Sequence, residues 1–210
     1  MLMPTCPFHY PHHRSTEQQL IDRFIDAFPL ATITSRQEDV FISSHIPLLR
    51  QSDGSLFGHV DVKNPQFNKT QRLSCQIIFM GPSAYIPPHA YVSNQLPTWN
   101  YLAVHMQAQI TVSSNPSQNL DTLQQTAERL STKETDYRFD PDDARVMANL
   151  HHIRSLKIQP EHVEGRFKLS QDKPATDASA ALEWLLSHRL YGHRGLLVDV
   201  LSTTSARSSN

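Results

Sequence analysis

GPSAYIPPHAYVSNQLPTWNY, residues 81–101, holds four prolines, three tyrosines and one tryptophan in twenty-one positions. It follows the apolar run Gln76-Ile77-Ile78-Phe79-Met80 and has the periodicity of neither helix nor strand. Long irregular segments inside a domain are uncommon and are often functional. Composition leaves two readings open: an aromatic-lined binding loop, or a long surface connection.

The flanks of this stretch set the fold class. Upstream, Leu73–Met80 reads as a strand. Downstream, Leu102, Val104, Met106, Ala108 and Ile110 alternate with Ala103, His105, Gln107 and Gln109, which predicts a long strand over Tyr101–Val112. Nearer the N-terminus, Leu30–Ser35, Val40–Leu49 and Leu56–Val60 read as further strands. Pro47 places the second of these at an edge or a bulge, and Ser52-Asp53-Gly54 marks a hairpin turn.

Helices bracket the strands. Ser15-Thr16-Glu17-Gln18 has the form of a capping box ahead of a helix over Thr16–Phe28. Pro116 opens a helix carrying Leu120, Leu123, Ala127 and Leu130, and Asp140-Pro141 opens another. Asn64-Pro65-Gln66 starts a short helix or a loop. Ile153–Ile158 and His162–Leu169 read as two late strands, and Asp177–Leu190 as a last helix with Ala178, Ala181, Leu182, Leu185 and Leu186 on its buried face. The pattern is that of one domain over residues 1–201 with helical elements at its C-terminal end. A Ser/Thr-rich flexible tail follows at 202–210.

The totals exclude several classes. The 210 residues carry a formal charge of −1, so no run of basic residues announces a nucleic-acid surface. No apolar run approaches the ~20 residues that span a bilayer, and the N-terminus lacks the order of a signal peptide. A cytoplasmic protein is expected. Cys6 and Cys75 form no paired motif. His9, His12 and His13, with Cys6, are too loosely spaced for a zinc site, and no metal is assigned. Neither a nucleophile elbow, a Walker motif nor a dinucleotide fingerprint is present.

Chemistry concentrates elsewhere. Ser43-Ser44-His45 and the Gly58–Pro65 stretch with His59 and Lys63 offer hydroxyl, imidazole and ammonium groups to a phosphate; the alternative is strand residues with local partners and a solvated lysine. Tyr85, Tyr91, Trp99 and Tyr101 offer faces to a flat ring or to a dimer interface.

Five blocks then act together: FISSHIPLL (Phe41–Leu49), GHVDVKNPQF (Gly58–Phe67), GPSAYIPPHAY (Gly81–Tyr91), LPTWNYLAVH (Leu96–His105) and GRFKLSQ (Gly165–Gln171). In order and spacing they resemble the PaiB-like family of FMN-binding negative transcriptional regulators. The resemblance implies an α+β, mainly β fold: an antiparallel split β-barrel of the FMN-binding type with peripheral helices. It also implies a homodimer with flavin at the subunit interface. Ser44, His45, His59 and Lys63 would then lie near the phosphate and ribityl end. Tyr85, Thr98 and Trp99 would lie near the ring or the interface, with Lys168, Ser170 and Gln171 completing the pocket. Two positions depart from the family pattern: Ala90 stands where it has tryptophan, and Asp172 where it has asparagine. Other readings of the same blocks are an FMN-dependent oxidoreductase of the pyridoxamine-phosphate-oxidase-like group and a binder of haem or another planar ligand. DNA is a possible partner that the charge does not support.

Overall fold

Alternating apolar residues become sheet in the computed structural model, which describes residues 9–68, 71–131 and 137–188. The expected tail at 202–210 and Cys6 lie outside the described residues. The strands are β1 (Arg14–Ser15), β2 (Leu30–Gln37), β3 (Val40–Pro47), β4 (Leu49–Arg50), β5 (Leu56–Asp61), β6 (Arg72–Ile86), β7 (Thr98–Ser113) and β8 (Ile153–Lys168). Four helices accompany them: α1 (Gln18–Ala27), α2 (Pro116–Leu130), α3 (Ala144–Asn149) and α4 (Ala175–His188). The sheet order is β3-β2-β6-β7-β8-β5-β4, with β1 paired to β8. β2 is antiparallel to β3 and β6, and β8 to β1 and β5. This is the mainly β, antiparallel α+β class that the periodicity predicts.

The chain divides into two compact units: Met1–Gly81 with Ala103–Arg166, and Pro82–Leu102 with Phe167–Asn210. In the first, side chains of each strand alternate between two faces. Ala31 and Ile33 of β2, Ile77 and Phe79 of β6, and Met106 and Ile110 of β7 point inward and are buried. Leu56, Leu156 and Ile158 extend the same core. Pro47 ends the edge strand β3, where no ladder partner is lost. A Cβ at Gly58 would stand 2.8 Å from the Pro47 carbonyl oxygen, so β5 approaches the end of β3 as only glycine permits. Buried Gln66 pins the β2–β3 hairpin from below, donating to Ile33 O, Ser35 Oγ and Ile42 O.

Several elements of this unit differ from expectation. Ser15 is not a helix cap: its pairing with Gly165 draws it into β1, and α1 starts at Gln18 with Glu17 before it. The Gln18 amide turns forward to Asp22 rather than back. α2 buries Asn119 and Thr122 instead of the leucine stripe. Asn119 explains the rotation, because it donates to Leu150 O and Ile153 O and accepts from Ser155 N. α3 begins at Ala144, capped by Asp143, whereas Asp140 closes a preceding turn on Asp142 N. Of the short helix or loop expected at Asn64-Pro65-Gln66, the loop is formed, with Asn64 closing a turn on Gln66 N. The two late strands are one, β8. Pro160 does not break it, because the β5 ladder ends at Leu56↔Ile158.

The second unit contains the stretch quoted at the outset. It is less irregular than its composition implies: β6 runs on to Ile86, Pro88–Ala90 form a 3-10 turn, and β7 begins at Thr98. Only residues 87–97 lie between the strands. Ile86, Tyr91, Ala181 and Leu185 form the unit's core, with Ala84, Ala90, Leu102, Leu169 and Trp184 packed on it. Ala90 therefore serves the packing of α4. Leu182 and Leu186, expected on the buried face of α4, are partly exposed. Asp177 is buried on this helix, accepting from Val92 N (2.8 Å), Ser93 N (2.9 Å), Ser93 Oγ (2.5 Å) and Gln95 Nε2 (3.0 Å). Among the described residues, no helix is long and apolar enough to cross a membrane.

Candidate functional site

The residues singled out from the sequence fall into two groups, one in each unit. Ser44, His45, His59 and Lys63 belong to the first; Tyr85, Thr98, Trp99, Lys168, Ser170 and Gln171 belong to the second.

In the first group the strand period separates neighbours. Ser44 faces inward and its Oγ accepts from Asn64 Nδ2 (3.0 Å). His45 faces outward and is exposed, its Nδ1 3.0 Å from Thr32 Oγ1. The two side chains therefore serve opposite faces of β3. The registers Thr32↔His45 and Thr32↔Ile78 set His45, Thr32 and Ile78 in one outward row. The next row is Pro47, Leu30 and, one step along β6, Met80, with Leu30 59 % and Met80 49 % exposed. His59 sits on β5 opposite Ser155, and burial holds its pKa below the ordinary value. Lys63 is exposed in the turn after β5, where its backbone N–H donates to Asp61 Oδ1 (2.7 Å).

The second group is more tightly built. Lys168 Nζ donates to Thr98 Oγ1 at 2.7 Å, linking the end of β8 to the start of β7. Tyr85 and Trp99 are about half exposed, with ring centroids 6.4 Å apart and planes tilted by 49°. Trp184 Nε1 donates to Tyr85 O (3.1 Å), fixing the strand that carries that ring. Ser170 holds a left-handed backbone (φ 62°) although it is not glycine. Three contacts explain why it stays there. Its Oγ donates to Asn100 Oδ1 (3.1 Å) and lies 3.2 Å from Tyr91 Oη, and its carbonyl accepts from Lys173 N (3.0 Å). Gln171 closes the same turn, accepting from Leu169 N and donating to Phe167 O.

Sequence reasoning missed three residues of this geometry. Thr32 orients His45, and Asn64 orients Ser44. Asn100, fully buried, has an Nδ2 with no hydrogen-bond partner among the described residues. Buried amide donors are rarely left unpaired. Asparagine is also depleted in strand interiors, and that depletion was the available signal, since Asn100 interrupts an otherwise aromatic and apolar run.

Two other titratable groups are shifted by their surroundings. Burial, reinforced by the Arg166 guanidinium, pushes His105 down to about 4. Burial, with the Glu161 carboxylate, pushes the Cys75 thiol up to about 12. Nearby, buried Glu164 accepts from both Arg14 Nε (2.6 Å) and Arg166 Nε (3.1 Å), joining β1 to β8.

Against this geometry the comparisons with known proteins are specific. The chain is 26 % identical to the protease synthase and sporulation protein PAI 2 of Bacillus subtilis (strain 168) over 186 residues, 83 % of this chain and 86 % of that protein. The FAD and heme binding protein from Mycobacterium smegmatis shares the fold, with a TM-score of 0.61 at 14 % identity over 80 % of each chain. So does the flavocytochrome Anf3 from Azotobacter vinelandii, with a TM-score of 0.59 at 15 % identity over 77 % of this chain and 72 % of that one. The fold is thus the flavin-binding split barrel that the five sequence blocks imply. Residues 8–177 match the family model described as "Putative FMN-binding domain". The chain belongs to that FMN-binding family, a membership that supports FMN as its cofactor.

Proposed function

We propose that the protein binds FMN as a homodimer and acts as a cytoplasmic negative regulator of the PaiB type. The observation that carries the flavin reading is the half-exposed Tyr85–Trp99 ring pair in the same unit as the Lys168–Thr98 bond and the left-handed Ser170. The residues fit the group. Aromatic faces suit a flat ring. Lys168 and Gln171 offer donors to the ring's polar edge. The exposed Lys63 and His45 offer the cation and donor that a phosphate needs, whereas Ser44 and its Asn64 partner serve the opposite face of β3. Bound FMN supplies a ring that takes up and returns electrons; the chain supplies binding and orientation.

Dimerisation is supported by the outward row Leu30–Met80, which leaves apolar surface open on the β3–β2–β6 face. Regulation rests on the likeness of the five sequence blocks to the PaiB-like regulators. The charge of −1 argues for repression through a partner, or through a local basic surface, rather than through a broadly basic protein.

Equilibrium dialysis with FMN tests the flavin reading. Trp99→Ala weakens binding by about 0.5–1.5 kcal/mol beyond the lost contact area, and Lys63→Gln weakens it more at low salt than at high salt. Absence of binding at high micromolar FMN overturns the reading. Gel shifts on the protein's own promoter test direct repression. A DNA-binding protein shifts the fragment at low salt and loses it steeply as salt rises; no shift at low salt rejects direct contact with DNA.

A further inference from the structure

One cavity in the first unit is lined by none of the residues assigned above to the flavin. It encloses about 620 Å³ between α1, the β4–β5 hairpin, the C-terminal turn of α2 and the Pro160 region of β8. That volume is in the ~300–1,000 Å³ range of small-molecule sites. Its floor is apolar: Ile21 and Ile25 of α1, Leu56 of β5, Met106 of β7 and Val163 of β8.

The rim decides what the floor accepts. Its carboxylates are already engaged. Asp22 takes Arg50 Nη1 (2.7 Å) and Gln18 Nε2 (2.7 Å). Asp53 takes Ser55 N (2.9 Å) and Ser55 Oγ (2.6 Å), and Gln51 Oε1 takes Ser55 Oγ (3.1 Å). Donors are left over. Among the described residues the Arg129 guanidinium, the Gln51 Nε2 group and the Gln159 amide have no side-chain partner, and all three line the cavity. A rim whose carboxylates are committed and whose Arg129 guanidinium is open selects an anionic ligand head. The charges on the lining side chains, Arg50 and Arg129 against Asp22 and Asp53, balance. A single negative charge is accommodated there, whereas a dianionic head meets two fixed carboxylates. The planar guanidinium fork also matches a carboxylate with two parallel hydrogen bonds.

We propose that this cavity is a second ligand site, for a small amphiphilic carboxylate whose apolar body lies on the Ile21–Leu56–Met106 floor and whose head meets Arg129. The site shares no residue with the proposed flavin pocket, so its occupancy stands or falls on its own.

Isothermal titration calorimetry of the full chain with octanoate, octanol and octyl phosphate tests it. Octanoate binds at millimolar concentration or tighter. Arg129→Gln, at the exposed end of α2, weakens octanoate by roughly tenfold or more, the size expected for a charge-assisted hydrogen bond. That variant leaves octanol binding unchanged, and Arg129→Lys restores part of the loss. No heat with octanoate overturns the proposal, as does equal affinity in Arg129→Gln. Octyl phosphate binding tighter than octanoate overturns the carboxylate assignment. FMN dialysis run on the same variants separates this site from the flavin reading: Arg129→Gln leaves FMN affinity at the wild-type value.

Discussion

Asn100 shows how a single buried amide organises a turn. Its Oδ1 accepts the Ser170 hydroxyl, which in turn meets Tyr91 Oη, and this chain holds Ser170 at φ 62°. Removing the acceptor leaves the Ser170 hydroxyl only Tyr91 Oη as partner in a conformation that β-carbon sterics oppose. Asn100→Ala is expected to cost about 0.5–1.5 kcal/mol in urea denaturation, the net worth of one hydrogen bond. An unchanged midpoint would mean that Ser170 is held by its backbone alone. His105 makes a pH prediction. Its ordinary value is 6.5, and burial with Arg166 brings it to about 4 in the fold. Between those values the unfolded chain takes up the proton and the folded chain does not. The His105 contribution to stability is therefore full above about pH 6.5, falls as pH drops through this window, and stops falling below about 4. His59, also lowered by burial, adds to the same slope. Melting curves across pH 4–7 should flatten in His105→Gln, provided the variant keeps the native near-ultraviolet spectrum. Cys75, held near 12 by burial, should resist thiol reagents at neutral pH until the protein unfolds. The sequence places Cys75 inside an apolar strand as inert packing, which its burial bears out, but it does not show the partners of Asn100 and His105. Asn100, His105 and Cys75 are each one letter in a strand, and their chemistry depends on neighbours from distant segments.

Elements were legible where periodicity is long and failed where tertiary pairing overrides local signals. The alternation in β7 and the turn at Asp53-Gly54 are formed as read, because an exposed polar face against a buried apolar one leaves one register. Ser15 satisfied the rule for a helix cap and lost to a strand pairing with Gly165, a contact across most of the chain. Helix α2 turned its polar Asn119 inward, since three backbone groups around Leu150–Ser155 needed a partner more than Leu120 needed burial. Helix α4 carries the sharpest test at this scale. Leu185 is its largest buried apolar side chain, packed in a cluster with Ile86 and Tyr91. Leu185→Ala should cost about 2–5 kcal/mol. Asp177→Asn, which keeps the shape but weakens the bonds from Ser93, Gln95 and Val92, should lower the melting temperature. Its effect should be greatest above the carboxylate range, because the bonds from Ser93 hold Asp177 below its ordinary pKa. As pH falls through that lowered pKa the carboxylate protonates and the wild type loses the same stabilisation.

At the scale of the whole molecule, the sequence blocks identified the fold and family but not how their residues are distributed. GHVDVKNPQF and FISSHIPLL contribute to one compact unit, while LPTWNY and KLSQ contribute to the other. Strand alternation further splits Ser44 from His45. A flavin held at a subunit interface would draw on the outward set, His45 with Thr32, and this links cofactor affinity to assembly. The Leu30–Met80 row supplies the lever. Leu30 is exposed, so Leu30→Glu disturbs no core packing, yet it places a charge where a second copy would exclude water. Sedimentation velocity of the wild type over a range of protein concentrations should show a dimer, and Leu30→Glu should shift it to monomer. FMN dialysis on the same samples should show affinity falling together with the dimer fraction. A variant that dissociates while keeping full FMN affinity would place the flavin within one chain. A variant that remains dimeric would move the interface off the β3–β2–β6 face.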